Sequence, residues 1–290
     1  MKRSIITFPL FFAVTFFFCR NLEAQVTRVQ STAATNTTTS SKNFTGAKGL
    51  VTLNNFSTYL QNFFATDSFK SPHTASFEFD LNPSNDSKKI LSNLLSAIQN
   101  NQSLEIVFRE VNSQNQVVSQ KDYKSTTVNE ILFSDLNGGS KDILRIQVKV
   151  QAQDASETDG ANETAPQLPA SGKAALCANF KLTVGKLPTQ RVSRISSIRI
   201  NNPGSYGYLN FSVEIQRVDS KPWKDWYTSG AGGGRREDAT LSLMDANFST
   251  EVASIYLSQV EIVSVSEAMS SQDNIAKTVF GLRARRVKVN

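Results

Sequence analysis

The chain has 290 residues, a formal net charge of +6, 39% hydrophobic and 19% charged side chains, one His and two Cys. That apolar fraction supports a packed core and sets aside wholesale disorder. One histidine excludes a multi-histidine metal site, and two cysteines exclude a cysteine cluster. The composition points away from most enzymes, and no catalytic, cofactor-binding or metal-binding residue is assigned from it.

Lys2 and Arg3 precede an almost unbroken apolar run from Ile5 to Phe18. The run is shorter than the roughly 20 residues that span a bilayer. It fits the h-region of a secretory signal peptide, with Ala24 at the cleavage site, so residues 1–24 are expected to be removed. A retained signal anchor is the alternative. A lipoprotein at Cys19 is rejected because Phe16, Phe17 and Phe18 stand where small residues are needed. Cleavage leaves Cys177 as the one thiol. It lies in an apolar run, Ala174 to Ala178, and reads as buried and inert. The junction looks bacterial. The expected location is the periplasm, the outer surface or outside the cell, with no stable membrane insertion.

Residues 25–42 are Ser/Thr/Asn-rich and read as a flexible lead. Residues 153–173 have little to bury and read as a linker. Two blocks remain, 43–152 and 174–290. The first is close to neutral, the linker carries Asp154, Glu157, Asp159 and Glu163, and the second holds the basic excess.

In the first block, Phe77-Glu78-Phe79 alternates as a strand, and a helix is expected over Ser87–Asn100 with Asp86 as its cap. Ile90, Leu91, Leu94, Leu95 and Ile98 form its apolar stripe. Strands are expected at Leu104–Arg109, Val117–Lys124, Glu130–Leu136 and Ile143–Val150, with turns at Asn112–Asn115 and Asn137-Gly138-Gly139. In the second block, Phe211-Ser212-Val213 alternates. A short helix follows with Pro222 in its first turn, Trp223, Trp226 and Tyr227 along it, and Gly230 at its end. Leu241-Ser242-Leu243 is then expected to turn through Asp245-Ala246-Asn247 into a returning strand, with two more strands at Ile255–Val265 and Lys277–Val289. The order of elements repeats. Asn43-Phe44 with Asn179-Phe180, Phe77 with Phe211, and Asp86-Ser87-Lys88 with Asp219-Ser220-Lys221 recur at a nearly constant interval, which reads as a duplication.

The second block carries further features. Trp223-Lys224-Asp225-Trp226-Tyr227 is followed by a Gly-rich arginine segment, Gly230 to Arg236. Leu241-Ser242-Leu243-Met244-Asp245 comes next, and then Leu257-Ser258-Gln259-Val260-Glu261-Ile262-Val263-Ser264-Val265-Ser266. This series resembles the phage tail-tube proteins and the haemolysin-coregulated tube protein of type VI secretion. The resemblance is close over much of the second block and loose over the remainder of the two blocks. It implies a mainly β fold: two tail-tube-like six-stranded β-barrel domains, each with one interrupting α-helix. It also implies a structural protein whose partner is itself, closing rings or tubes through strand edges. A trimer of tandem domains would then mimic a hexamer, and other envelope or secretion-system proteins would be further partners. The chain departs from the family in carrying a signal peptide and two domains.

The candidate interface or ligand contacts are Trp223, Trp226, Tyr227, Arg235, Arg236, Arg283, Arg285 and Arg286. The aromatic group reads as core with an interface rim, or as a sugar-stacking platform. The arginines read as a solvated strand face or a protein interface. No aromatic residues interleave them as nucleic acid would require, so no nucleic-acid partner is expected. The acid pairs Asp80/Asp86 and Asp135/Asp142 lack EF-hand spacing and read as turn residues. His73 is expected to sit exposed in a loop. Gly230 to Arg236 lacks the Gly-Lys-Ser/Thr of a phosphate loop. A secreted β module that binds a glycan or an envelope protein is the alternative function.

Overall fold

A computed structural model describes residues 38–42, 48–67, 71–83, 85–160, 163–168, 173–202, 209–230, 235–269 and 275–289. The expected signal peptide, residues 25–37 and the Asn43-Phe44 repeat landmark lie outside these. In chain order the first half contains β1 (Thr38–Lys42), β2 (Lys48–Leu53), β3 (Phe56–Leu60), β4 (Asn62–Asp67), β5 (His73–Asp80), α1 (Asn85–Asn100), β6 (Leu104–Val111), β7 (Val117–Phe133), β8 (Leu136–Asn137) and β9 (Arg145–Asp159). The second half contains β10 (Phe180–Val184), β11 (Val192–Ile195), β12 (Ile198–Asn201), β13 (Leu209–Gln216), α2 (Lys221–Ser229), β14 (Glu237–Met244), β15 (Glu251–Met269), β16 (Ala276–Ala284) and β17 (Arg286–Val289).

The fold is mainly β, and its two sheets curl into a half-barrel and a nearly closed barrel, with one helix interrupting each half. The first sheet runs β1-β4-β5-β9-β7-β6-β2-β3 and the second β10-β14-β15-β16-β13-β11-β8. Among the described residues they hold nine and eight strands rather than six, because short strands are added at the edges and β12 and β17 pair beside the main path. The central order β5-β9-β7-β6-β2 has its counterpart in β13-β16-β15-β14-β10, each with a helix after its first-listed strand.

Local details recur at the same interval. The β6–β7 hairpin turns through Asn112, whose side-chain Oδ1 accepts the Gln114 and Gln116 N–H groups. Asp245 does the same for Ser249 and Thr250 in the β14–β15 hairpin. Asn115 and Phe248, one interval apart, both take positive φ in these turns. Ser125 and Gln259, likewise spaced, both take positive φ at a bulge, where Glu105 and Asp238 each face two residues of the neighbouring strand. These bulges bend β7 and β15. Each is therefore one long strand where the sequence pattern suggested two. The expected last strand, Lys277–Val289, is broken at Arg285 into β16 and β17, which pair with β15 on either side of its bulge.

Residues 37–290 form one compact unit with a continuous hydrophobic core. The expected stripe on α1 is fully buried, since Ile90, Leu91, Leu94, Leu95 and Ile98 are each at most 1% exposed. Asp86 lies inside the first turn of α1 rather than capping it, because the helix begins at Asn85. Each sheet borrows a short strand from the other half: β12 pairs with the end of β7, and β8 pairs with β11. Two ion-pair groups fasten the same junction. Glu130 takes Lys149 at 3.0 Å and Arg199 at 2.6 Å, and Arg194 joins Asp135 and Glu214.

The stretch read as a linker is largely structured. Residues 153–159 continue β9 along β7. Farther on, Glu163 O accepts from Val117 N–H at 2.8 Å, and Ala165 N–H donates to Asn115 O at 2.9 Å. Ala165 is buried against Leu50, Val111 and Val117. Small residues and backbone hydrogen bonds hold this segment, so it lacks the large apolar side chains that would reveal it in sequence. At the other end of the chain, residues 38–42 of the expected flexible lead pair with β4 as β1.

Candidate functional site

The aromatic residues of α2 separate into core and surface. Pro222 opens the helix, and the three-residue spacing turns Trp223 and Trp226 inward. Trp223 is fully buried, its Nε1–H donates to Pro188 O at 2.9 Å, and its ring lies 5.4 Å from that of Phe280. Trp226 is 4% exposed and meets Trp223 edge-on at 6.2 Å. Two tryptophans buried this way present no stacking face to a sugar. Burial thus removes both ring faces as stacking surfaces, Trp226 borders only a pocket, and Tyr227 alone of the three is exposed. The Nε1–H of Trp226 has no partner among the described residues. Trp226 lines a pocket of about 200 Å³ with Lys186, Leu187, Arg235 and Glu237.

The arginines are brought together. Glu261 on β15 takes Arg236 at 3.2 Å and Arg283 at 3.8 Å, while Arg235 pairs with Glu237 at 2.9 Å. Arg285 occupies the break between β16 and β17, its N–H bonded to Ser258 O at 3.1 Å, and Arg286 lies opposite Ser258. The β15 bulge thus gathers arginines from two separate stretches into one basic bend. The bulge itself is held by Asp238, whose Oδ1 accepts the Gln259 N–H and whose Oδ2 accepts the Tyr256 hydroxyl. Those bonds keep the Asp238 carboxyl below its ordinary pKa.

Three of the four candidate acids, Asp80, Asp135 and Asp142, have structural partners. Asp80 takes Gln61 Nε2–H at 2.8 Å and lies 3.4 Å from Arg145 Nε; burial pushes its carboxyl up. Asp142 accepts the Ser140 hydroxyl at 2.7 Å. Asp135 accepts from Arg194 and from Ser197 N–H. Burial raises its carboxyl, but these bonds outweigh that and hold it below the usual range. His73 lies within β5, half-buried, rather than in an exposed loop, because its backbone pairs with Ala152. Cys177 is buried, its S–H faces Ile143 O at 3.6 Å, and burial pushes the thiol up. Gly230 caps α2 with its N–H on Trp226 O and Tyr227 O, and residues 231–234 of the Gly-rich segment lie outside the described residues. Sequence reasoning missed the Glu130–Arg199 and Asp135–Arg194 pairs, since no local motif signals a contact between positions so far apart in the chain.

The strand edges differ between halves. The outer edge of β2 is covered by β3, whereas β10, its counterpart, pairs with β14 alone. Asn179 O accepts from Met244 N–H and Gly185 N–H donates to Asp238 O, which turns the odd-numbered residues of β10 toward β14. The backbone groups of Phe180 and Leu182 therefore point to the open edge, where no strand among the described residues pairs with them. No helix among the described residues is long and apolar enough to cross a membrane, and no group of three or more His, Cys, Asp or Glu is placed there to hold a metal ion. No protein-family model matches the chain, and no curated protein matches it significantly.

Proposed function

We propose that the chain is an exported structural protein that assembles with copies of itself into rings or tubes through the edges of its barrels. The observation that carries this reading is the shared connectivity of the two sheets combined with the uncovered edge of β10. A strand whose backbone groups face outward is a template for another strand. A chain holding two barrels of like order presents two similar building positions, so three chains supply six. Turn and bulge details repeated at one interval support duplication as the origin of that order. The resemblance to tail-tube and type VI tube proteins agrees with it. The expected N-terminal signal favours the periplasm, the outer surface or the exterior, where other envelope or secretion-system proteins are further partners.

Mass photometry of mature protein (residues 25–290) at micromolar concentration tests the reading. A discrete oligomer whose mass is a small multiple of the chain's is the expected result, and a monomer at every concentration contradicts it. The pocket beside Trp226 favours a second reading, a module binding a small ligand through Lys186, Arg235 and an indole N–H.

A further inference from the structure

The two halves carry opposite net charge around a matching place on the fold. Beyond its bulge, β7 places Lys124 opposite Asp154 and Asp122 opposite Ser156 on β9. Beyond its own bulge, β15 places Ser258 opposite Arg286 and Tyr256 opposite Lys288 on β17. The end of β9 is therefore the counterpart of β17, with Asp154 standing where the second half has Arg286. Asp154, Glu157 and Asp159 are exposed, as are Arg285, Arg286 and Lys288. Around the β9 arm, Lys121 and Lys124 stand against Asp122, Asp154, Glu157, Asp159 and Glu163, a net charge of −3. Around the basic bend, Arg235, Arg236, Arg283, Arg285, Arg286 and Lys288 stand against Glu237, Asp238 and Glu261, a net charge of +3.

No ion pair joins the arm to the bend among the described residues. Where β12 joins β7 the pairing uses residues 130–133, and the arm pairs with residues 119–124, centred roughly 30 Å farther along the strand. Each patch is thus left with its net charge unmatched by the other inside one chain.

We infer that the acidic β9 arm of one copy docks on the basic β15–β17 bend of the next, so that a second copy of this chain is the occupant of both surfaces. This deepens, and rests on, the reading of the chain as self-assembling. A contact between two different patches is heterologous, and repeated head to tail it either closes a ring or extends a filament. Opposite net charge on the two patches supplies steering and register and disfavours arm-to-arm and bend-to-bend pairing. Matching positions on two like barrels give the contact a further property. The arm and the bend are the same place on the fold, so charge alone distinguishes which half meets which.

The test uses full mature protein, with mass photometry at low and high salt. Wild-type assembly weakens by at least roughly tenfold as salt rises, because exposed charges are screened over about 10 Å at moderate ionic strength. The Arg285→Glu/Arg286→Glu variant and the Asp154→Lys/Asp159→Lys variant each remain monomeric where wild type assembles, with unchanged circular dichroism. Mixed one to one, they assemble together, since each then offers the charge that the other lacks. Assembly of wild type that ignores salt, or reversed variants that assemble as wild type does, overturns the docking while leaving self-assembly intact. Failure of wild type to assemble under any salt removes both.

Discussion

Trp223 and Trp226 lie three residues apart on one helix and meet different fates. The Trp223 indole N–H is satisfied by Pro188 O, and that of Trp226 is buried with no described partner. An unpaired buried donor costs about 1–3 kcal/mol, whereas a paired one makes a net contribution. Replacing each by Phe separates the two. Trp223→Phe leaves the Pro188 carbonyl unpaired and a void beside Phe280, and is expected to lose about 2–3 kcal/mol. Trp226→Phe removes the unpaired group along with some volume, and is expected to lose less than about 1 kcal/mol. Urea unfolding of both variants checks this. Equal losses, or the reverse order, would show that the hydrogen bond does not govern the difference.

At the level of elements, the arm formed by the end of β9 depends on one close approach. A Cβ on Gly160 would lie 2.0 Å from the Val117 carbonyl oxygen, while the Gly160 N–H bonds to Val118 O at 2.9 Å. Backbone sits on both sides of that contact, so Gly160→Ala must shift the strand end. The expected cost is about 1–3 kcal/mol, with faster amide exchange across residues 154–159 than in wild type. Unchanged protection there would mean that the arm is held by other contacts. Several elements were legible beforehand because their signals are local. The period of Ile90 to Ile98 placed α1, Pro222 and Gly230 bounded α2, and Asn112 to Asn115 marked a hairpin. The bulges at Ser125 and Gln259 were not legible, since neither residue is a glycine, and at Gln259 the turn is held by the Asp238 side chain of the neighbouring strand. Reading β7 as two strands follows from that gap. The segment after Gln153 misled for the opposite reason. Acidic and small polar side chains on a strand exposed on both faces look like a linker, because nothing apolar marks the period. The arginines were legible as a group in composition alone. Their convergence on one bend needed the β15 register.

For the whole molecule, the decisive features are repetition and sharing. One strand order occurs twice, short strands are exchanged at the junction, and a single core runs through both halves. Exchanged strands and the Glu130 and Asp135 ion pairs make the two barrels one rigid building block rather than beads on a tether. A rigid block with two like positions and an open edge suits closed assembly, because the angle between successive positions inside a chain is set by the fold. A junction fixed by exchanged strands would also make ring size uniform, since a loose tether would spread it. Negative-stain electron microscopy of mature protein at low salt is the most direct measurement of this account. It predicts rings of one diameter, alone or stacked into tubes. A field of separate particles no larger than one chain, at concentrations where an assembly would be populated, would contradict it.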